Sequence, residues 1–113
     1  MSFKPQRTTS DITRVLQIAL TQKLKNPTIQ RAVTILRVET SADLSVARVF
    51  IDIDHHNPEM VQLELVKATQ FFKSQLAKNV ELRRIPNISF IHDRGRQNAE
   101  RVQELLGQIA KPE

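Results

Sequence analysis

Apolar residues recur at spacings of three and four from Ile12 through Val15, Leu16, Ala19 and Leu20 to Leu24, which predicts an amphipathic helix behind a Ser10 cap. Asn26-Pro27 is expected to end it, because the residue before proline avoids the helical region and proline donates no backbone hydrogen bond. The period then shortens to two. A β-branched, partly alternating stretch runs from Ala32 to Thr40, turns through Ser41-Ala42-Asp43 and resumes from Leu44 to Asp54, predicting an antiparallel hairpin. In its second strand Ala47, Val49, Ile51 and Ile53 point to the core, and Arg48, Phe50 and Asp52 point away. Asn57-Pro58-Glu59 has the marks of a helix start: a cap, a proline in the first turn and an acid favoured by the dipole. Behind it an apolar stripe of Val61, Leu65, Ala68, Phe72 and Leu76 predicts one helix to about Lys78.

After the loop Arg83-Arg84-Ile85-Pro86 comes a third strand, Asn87 to His92, a break at Asp93-Arg94-Gly95, and a last helix carrying Val102, Leu105, Leu106 and Ile109 inward. The order helix, strand, strand, helix, strand, helix predicts a single α+β domain over 10–110, with helices covering one side of a three-stranded sheet and a flexible terminus at 1–9. At 113 residues such a domain buries enough surface to need no staple. With no cysteine, disulfide frameworks, thiol catalysis and cysteine-ligated zinc are excluded. Neither an export signal nor a membrane span is read from the sequence, and the cytoplasm is the expected compartment.

Charge changes the picture. Between Lys67 and Arg101 stand eight basic residues against three acidic ones, a surplus of five that equals the net charge of the whole chain, +5. Charge density over a Debye length, more than overall pI, governs steering and counterion release, so this window predicts a face for a polyanion. Lys67, Gln70, Ser74 and Lys78 recur on the polar side of the second helix, with Lys73 beside them and Arg83, Arg84, Arg94 and Arg96 in the flanking loops. These nine residues are the candidate RNA-binding set. The competing reading of each basic residue is a solvated face that keeps the chain soluble.

Catalytic motifs are weak by comparison. Val49-Phe50-Ile51-Asp52-Ile53-Asp54 ends an apolar strand in Asp-x-Asp, the arrangement a magnesium-dependent phosphohydrolase uses for a nucleophilic aspartate and a second acid. That chemistry also needs a lysine-bearing strand end and a larger sheet, so Asp52 is read as outward-facing and Asp54 as the start of a turn. His55-His56 is read as a surface turn, because adjacent histidines are expected to diverge and metal-binding pairs are spaced to converge. With only Gly95 and Gly107, neither a P-loop nor a dinucleotide fingerprint exists. Of the aromatics only Phe50 is a candidate for stacking a base on an outer sheet face. No enzymatic activity, cofactor, metal or small-molecule substrate is predicted.

Taken in order, these segments resemble the ribosome-binding factor A family. Val33-Thr34-Ile35, Val38, Ser41-Ala42-Asp43-Leu44 and Ala47-Arg48-Val49-Phe50-Ile51 are similar to its hairpin signature. Ala68, Phe71, Lys73, Leu76, Leu82-Arg83, Ile85-Pro86, Phe90 and Asp93 resemble its second block, and Arg14-Val15 and Asn26-Pro27 fit the first helix and its end. The resemblance spans about residues 10 to 109. It implies a type II KH-like fold, a non-catalytic role in binding the small (30S) ribosomal subunit and its 16S rRNA during late maturation, and a link to growth in the cold; apart from the resemblance, a monomer is expected. The family carries an Ala-x-Gly kink where this chain has Ala68-Thr69-Gln70, and without the glycine the helix is expected to run straighter. The rival expectations are a basic module for an acidic protein partner and the phosphohydrolase built on Asp52 and Asp54.

Overall fold

A computed structural model of the chain describes residues 5–93; Arg94, Arg96 and the expected last helix lie outside the described residues. Helix α1 spans Pro5–Ile18 and runs on through a π-helical turn, Ala19–Lys23, closed by Leu24 N–H to Ala19 O at 2.8 Å. The expected Ser10 cap is corrected: the helix begins at Pro5, and Ser10 lies inside it, exposed. Proline suits a first helical turn because its missing donor is not needed there. Thr8 is buried, and the Thr9 and Thr40 hydroxyls meet at 2.7 Å, which draws the start of α1 onto the far end of the first strand.

Asn26-Pro27 also departs from expectation. It starts a helix as well as following one: α2 spans Pro27–Ala32, and the Asn26 side chain accepts from Ile29 N–H at 3.2 Å. The same device opens α3, Pro58–Lys67, where Asn57 Oδ1 accepts from Met60 N–H. Such caps satisfy donors that the first helical turn leaves without a backbone partner.

Strands β1 (Val33–Thr40), β2 (Val46–Ile53) and β3 (Asn87–His92) form a sheet in the order β1-β2-β3, antiparallel between β1 and β2 and parallel between β2 and β3. A parallel neighbour requires a crossover. Here α3 and α4 (Thr69–Asn79) supply it. Ala47, Val49, Ile51 and Ile53 are buried as expected, against Ile12, Leu16, Leu20, Val61, Leu65, Phe72 and Leu76 from the helices. Gln62 Nε2 donates to Phe90 O at 3.0 Å and fastens α3 to β3.

Leu36 is the extra residue of a β-bulge. Register shifts from Ile35 opposite Ile51 to Arg37 opposite Phe50. Strict alternation from Val33 and Ile35 would have aimed Arg37 at the core; the bulge reverses the parity, so Val38 is buried and Arg37 faces outward. The fold is α+β and KH-like, with the helices on one face of the sheet.

The expected continuous second helix is two helices. Between them Ala68 sits at φ −87°, ψ 4°, and its N–H reaches both Glu64 O at 3.1 Å and Leu65 O at 3.0 Å. Those dihedrals lie in the bridge region, which side chains larger than glycine tolerate. A straighter helix was expected from the missing glycine; the break forms without it because no left-handed residue is required.

Candidate functional site

The break at Ala68 divides the cationic side chains. Lys67 ends α3, with its Nζ 3.8 Å from Glu64, an exposed pair of the kind that contributes little. Gln70, Ser74 and Lys78 recur along the outward side of α4, all exposed. The Ser74 hydroxyl donates to Phe71 O at 2.8 Å, so its proton is already used. Phe72 and Leu76 hold the opposite side of α4 in the core, with the Phe72 ring edge-on to Phe71 and Phe90. The outward surface of α3 is instead apolar, with Leu63 62% and Val66 54% exposed.

Lys73 lies on the flank of α4 that meets β3. Its Nζ is 3.4 Å from Asn87 Oδ1, and Asn87 N–H donates to Ser45 O at 2.9 Å. That contact joins the first residue of β3 to the hairpin turn. In this turn Asp43 accepts from the Ser45 hydroxyl at 2.7 Å, from Ser45 N–H at 3.1 Å and from the Ser41 hydroxyl at 2.9 Å. Arg84, from the loop between α4 and β3, completes the group with Nη2 3.3 Å from Asp43 Oδ2. The Ser45 hydroxyl and amide, then the Ser41 hydroxyl and the Arg84 charge, hold the Asp43 carboxyl down to about 2.

Lys73, Arg83 and Arg84 therefore stand beside the hairpin turn, Lys73 through Asn87 and Ser45, Arg84 through Asp43, and Arg83 next to it in the same loop; Lys78 lies in the last turn of α4, ahead of that loop. Among the described residues no carboxylate stands within salt-bridge distance of Lys73, Lys78 or Arg83. Lys67 closes α3 and Gln70 stands in the first turn of α4, about 12 Å along the axis from Lys78 but only about 4.5 Å from Lys73, at 1.5 Å per residue. Arg94 and Arg96 fall outside the described residues.

Phe50 does occupy the open face of the sheet, but its ring is covered. The Arg37 guanidinium sits 3.9 Å from the ring centroid, held there by Asp93 at 2.9 Å and Glu39 at 3.2 Å. A base would have to displace that stack, so the helix-and-loop surface is the more open of the two. His55 and His56 were expected to diverge; their rings stack, with centroids 4.2 Å apart, and His55 Nδ1 accepts from Asn57 N–H. Among the described residues no three His, Cys, Asp or Glu side chains gather to hold a metal ion. Nor is any described helix long and apolar enough to cross a membrane.

The family model described as Ribosome-binding factor A matches residues 4–106. The chain belongs to the ribosome-binding factor A family. It is 33% identical to the ribosome-binding factor A of Methylobacillus flagellatus, over 97% of this chain and 90% of the relative. It is 32% identical to that of a Streptococcus pneumoniae strain, over 96% of each. The crystal structure of ribosome-binding factor A from Thermus thermophilus superposes with a TM-score of 0.71 at 25% identity, covering 80% of this chain and 97% of that one. A homology model of the Thermus thermophilus ribosome binding factor A, fitted into the cryo-EM map of its 30S complex, gives 0.61 at 25% identity, over 77% of this chain and 92% of that one.

Two features of this family member escape the sequence. The bulge at Leu36 that turns Arg37 onto Phe50 has no signature beyond an imperfect alternation. The joining of the Ser41–Ser45 turn to the Leu82–Arg84 loop is long-range, made by Arg84 on Asp43 and by Asn87 on Ser45, and has no local signature.

Proposed function

We propose that this chain binds the small (30S) ribosomal subunit and assists late maturation of its 16S rRNA, acting by binding and not by catalysis. The observation that carries the reading is that Lys73, Arg83 and Arg84 stand beside the hairpin turn, with Lys78 in the last turn of α4, and that Lys73, Lys78 and Arg83 have no carboxylate partner among the described residues. The 30S complex of the Thermus relative supports the choice of partner. Lys67, Gln70 and Ser74 extend the surface along the helices, and Arg94 and Arg96 follow β3 in sequence. The factor works as a cytoplasmic monomer, neutralising phosphates of a folded RNA junction and favouring one RNA arrangement through its higher affinity for it.

Changing Lys73, Arg83 and Arg84 together to glutamate is expected to abolish co-sedimentation with small subunits while circular dichroism stays that of the wild type. With about four phosphates neutralised, log affinity falls against log salt with a slope of roughly −3. Continued co-sedimentation of the triple variant sinks the assignment. Survival of the complex after nuclease treatment points instead to an acidic protein partner.

A further inference from the structure

Between the hairpin turn and the loop after α4 lies a cavity of about 380 Å³, lined by Asp43, Leu44, Leu82, Arg83 and Arg84. Its size falls within the range of roughly 300–1,000 Å³ that holds small ligands. Leu44 and Leu82 supply the apolar walls. Leu44 stands at φ 59°, a left-handed conformation that is unfavourable for any residue with a Cβ. That places a half-buried leucine at the cavity rather than the glycine or asparagine the backbone would prefer.

The rim is cationic and unequally engaged. Arg84 is held against Asp43, and Asp43 is itself occupied by Ser41 and Ser45. Arg83 is exposed and has no carboxylate within salt-bridge distance among the described residues. Lys73 stands on the same corner through Asn87 and Ser45.

We infer that this cavity receives one unpaired nucleobase of the bound RNA, one ring face against Leu44 and Leu82 and the other beneath the Arg83 guanidinium, with the neighbouring phosphates on the surrounding cations. The inference rests on the RNA-binding reading above and names the contact that reading lacks. A nucleotide combines a flat, weakly polar ring with a negative charge, and the apolar slot with its positive rim matches both. An apolar side chain of a protein partner would fill the slot and leave the cations unmatched. Because Asp43 is already committed to Ser41, Ser45 and Arg84, recognition runs through ring faces and tolerates any base.

Arg83→Lys tests it, since lysine keeps the charge and loses the planar group. Its affinity for purified small subunits is expected to fall about tenfold, as for a lost stacking contact, with the salt slope unchanged. The wild type is expected to protect one unpaired base of the subunit RNA from chemical modification, and Arg83→Lys to leave it reactive. A photoreactive residue in place of Leu82 should cross-link to that nucleotide. Wild-type affinity in Arg83→Lys, a shallower salt slope, no protected base beneath bound wild type, or a cross-link to a ribosomal protein each overturns the base site. If Arg83→Lys binds normally while the triple glutamate variant does not, phosphate binding stands and the cavity alone is misassigned. If the wild type does not bind subunits, both fall.

Discussion

Arg84 and Asp43 stand 41 residues apart in sequence and meet at 3.3 Å, one on the loop before β3 and the other in the turn before β2. The pair is exposed and contributes little to stability, but it withholds one cation from the binding corner. Asp43→Asn is expected to release Arg84 for a phosphate. Affinity for small subunits should rise, and the salt slope should steepen by about one. A slope equal to that of the wild type would show that Arg84 reaches phosphate while still paired.

The same carboxylate ties the turn to pH. Its value in the folded chain, about 2, lies below the ordinary 3.8, so the folded state binds that proton less readily than the unfolded state. A depressed acid stabilises the fold above its unfolded value and loses that contribution as pH falls through the folded one. Urea midpoints measured from about pH 5 down to about pH 2 should therefore fall further for the wild type than for Asp43→Asn, with the excess confined to the region below about pH 4.

Restoring the family glycine should not help. Gln70 lies in the first turn of α4, and Leu44 is the one non-glycine residue at positive φ among the described residues. Gln70→Gly is expected to lower stability by about 0.5–1 kcal/mol in denaturant titration, because it adds freedom to the unfolded chain and relieves nothing in the folded one. A gain in stability would mean that the helix break at Ala68 is strained.

Leu44 separates stability from binding. Asparagine tolerates the left-handed region better, so Leu44→Asn is expected to stabilise the fold by up to about 1 kcal/mol in thermal melts while weakening association with small subunits. Loss of both would show that the leucine serves chiefly as packing.

Periodicity made the core legible: Ile12, Leu16, Leu20, Val49, Ile51, Val61, Phe72 and Leu76 are all buried where spacings of two, three and four placed them. Punctuation was harder to read. Asn57-Pro58 announced a helix because a long apolar stripe followed, whereas Asn26-Pro27 preceded only six helical residues, too few to show a period. At Ala68 the missing glycine pointed to a straighter helix, yet a bridge-region break needs neither glycine nor proline. Of the candidate site, residue types and local charge density were visible in the sequence. What was not visible is that Lys73, Arg83 and Arg84 sit beside a turn about 30 to 40 residues upstream, while Lys67 lies on the other side of the helix break. Those placements follow from β3 pairing with β2, a contact between distant parts of the chain.

That parallel pairing has a kinetic corollary. The loop carrying Arg83 and Arg84 is anchored at its far end by β3, and β3 can dock only after α3 and α4 have carried the chain back across the sheet. Closing so long a circuit belongs among the slow, late events of folding. A full-length chain in which the first helices and hairpin have folded but β3 has not docked thus carries the charges without the corner that gathers them, and the proposed affinity for the ribosome would arrive as a certificate of completed folding.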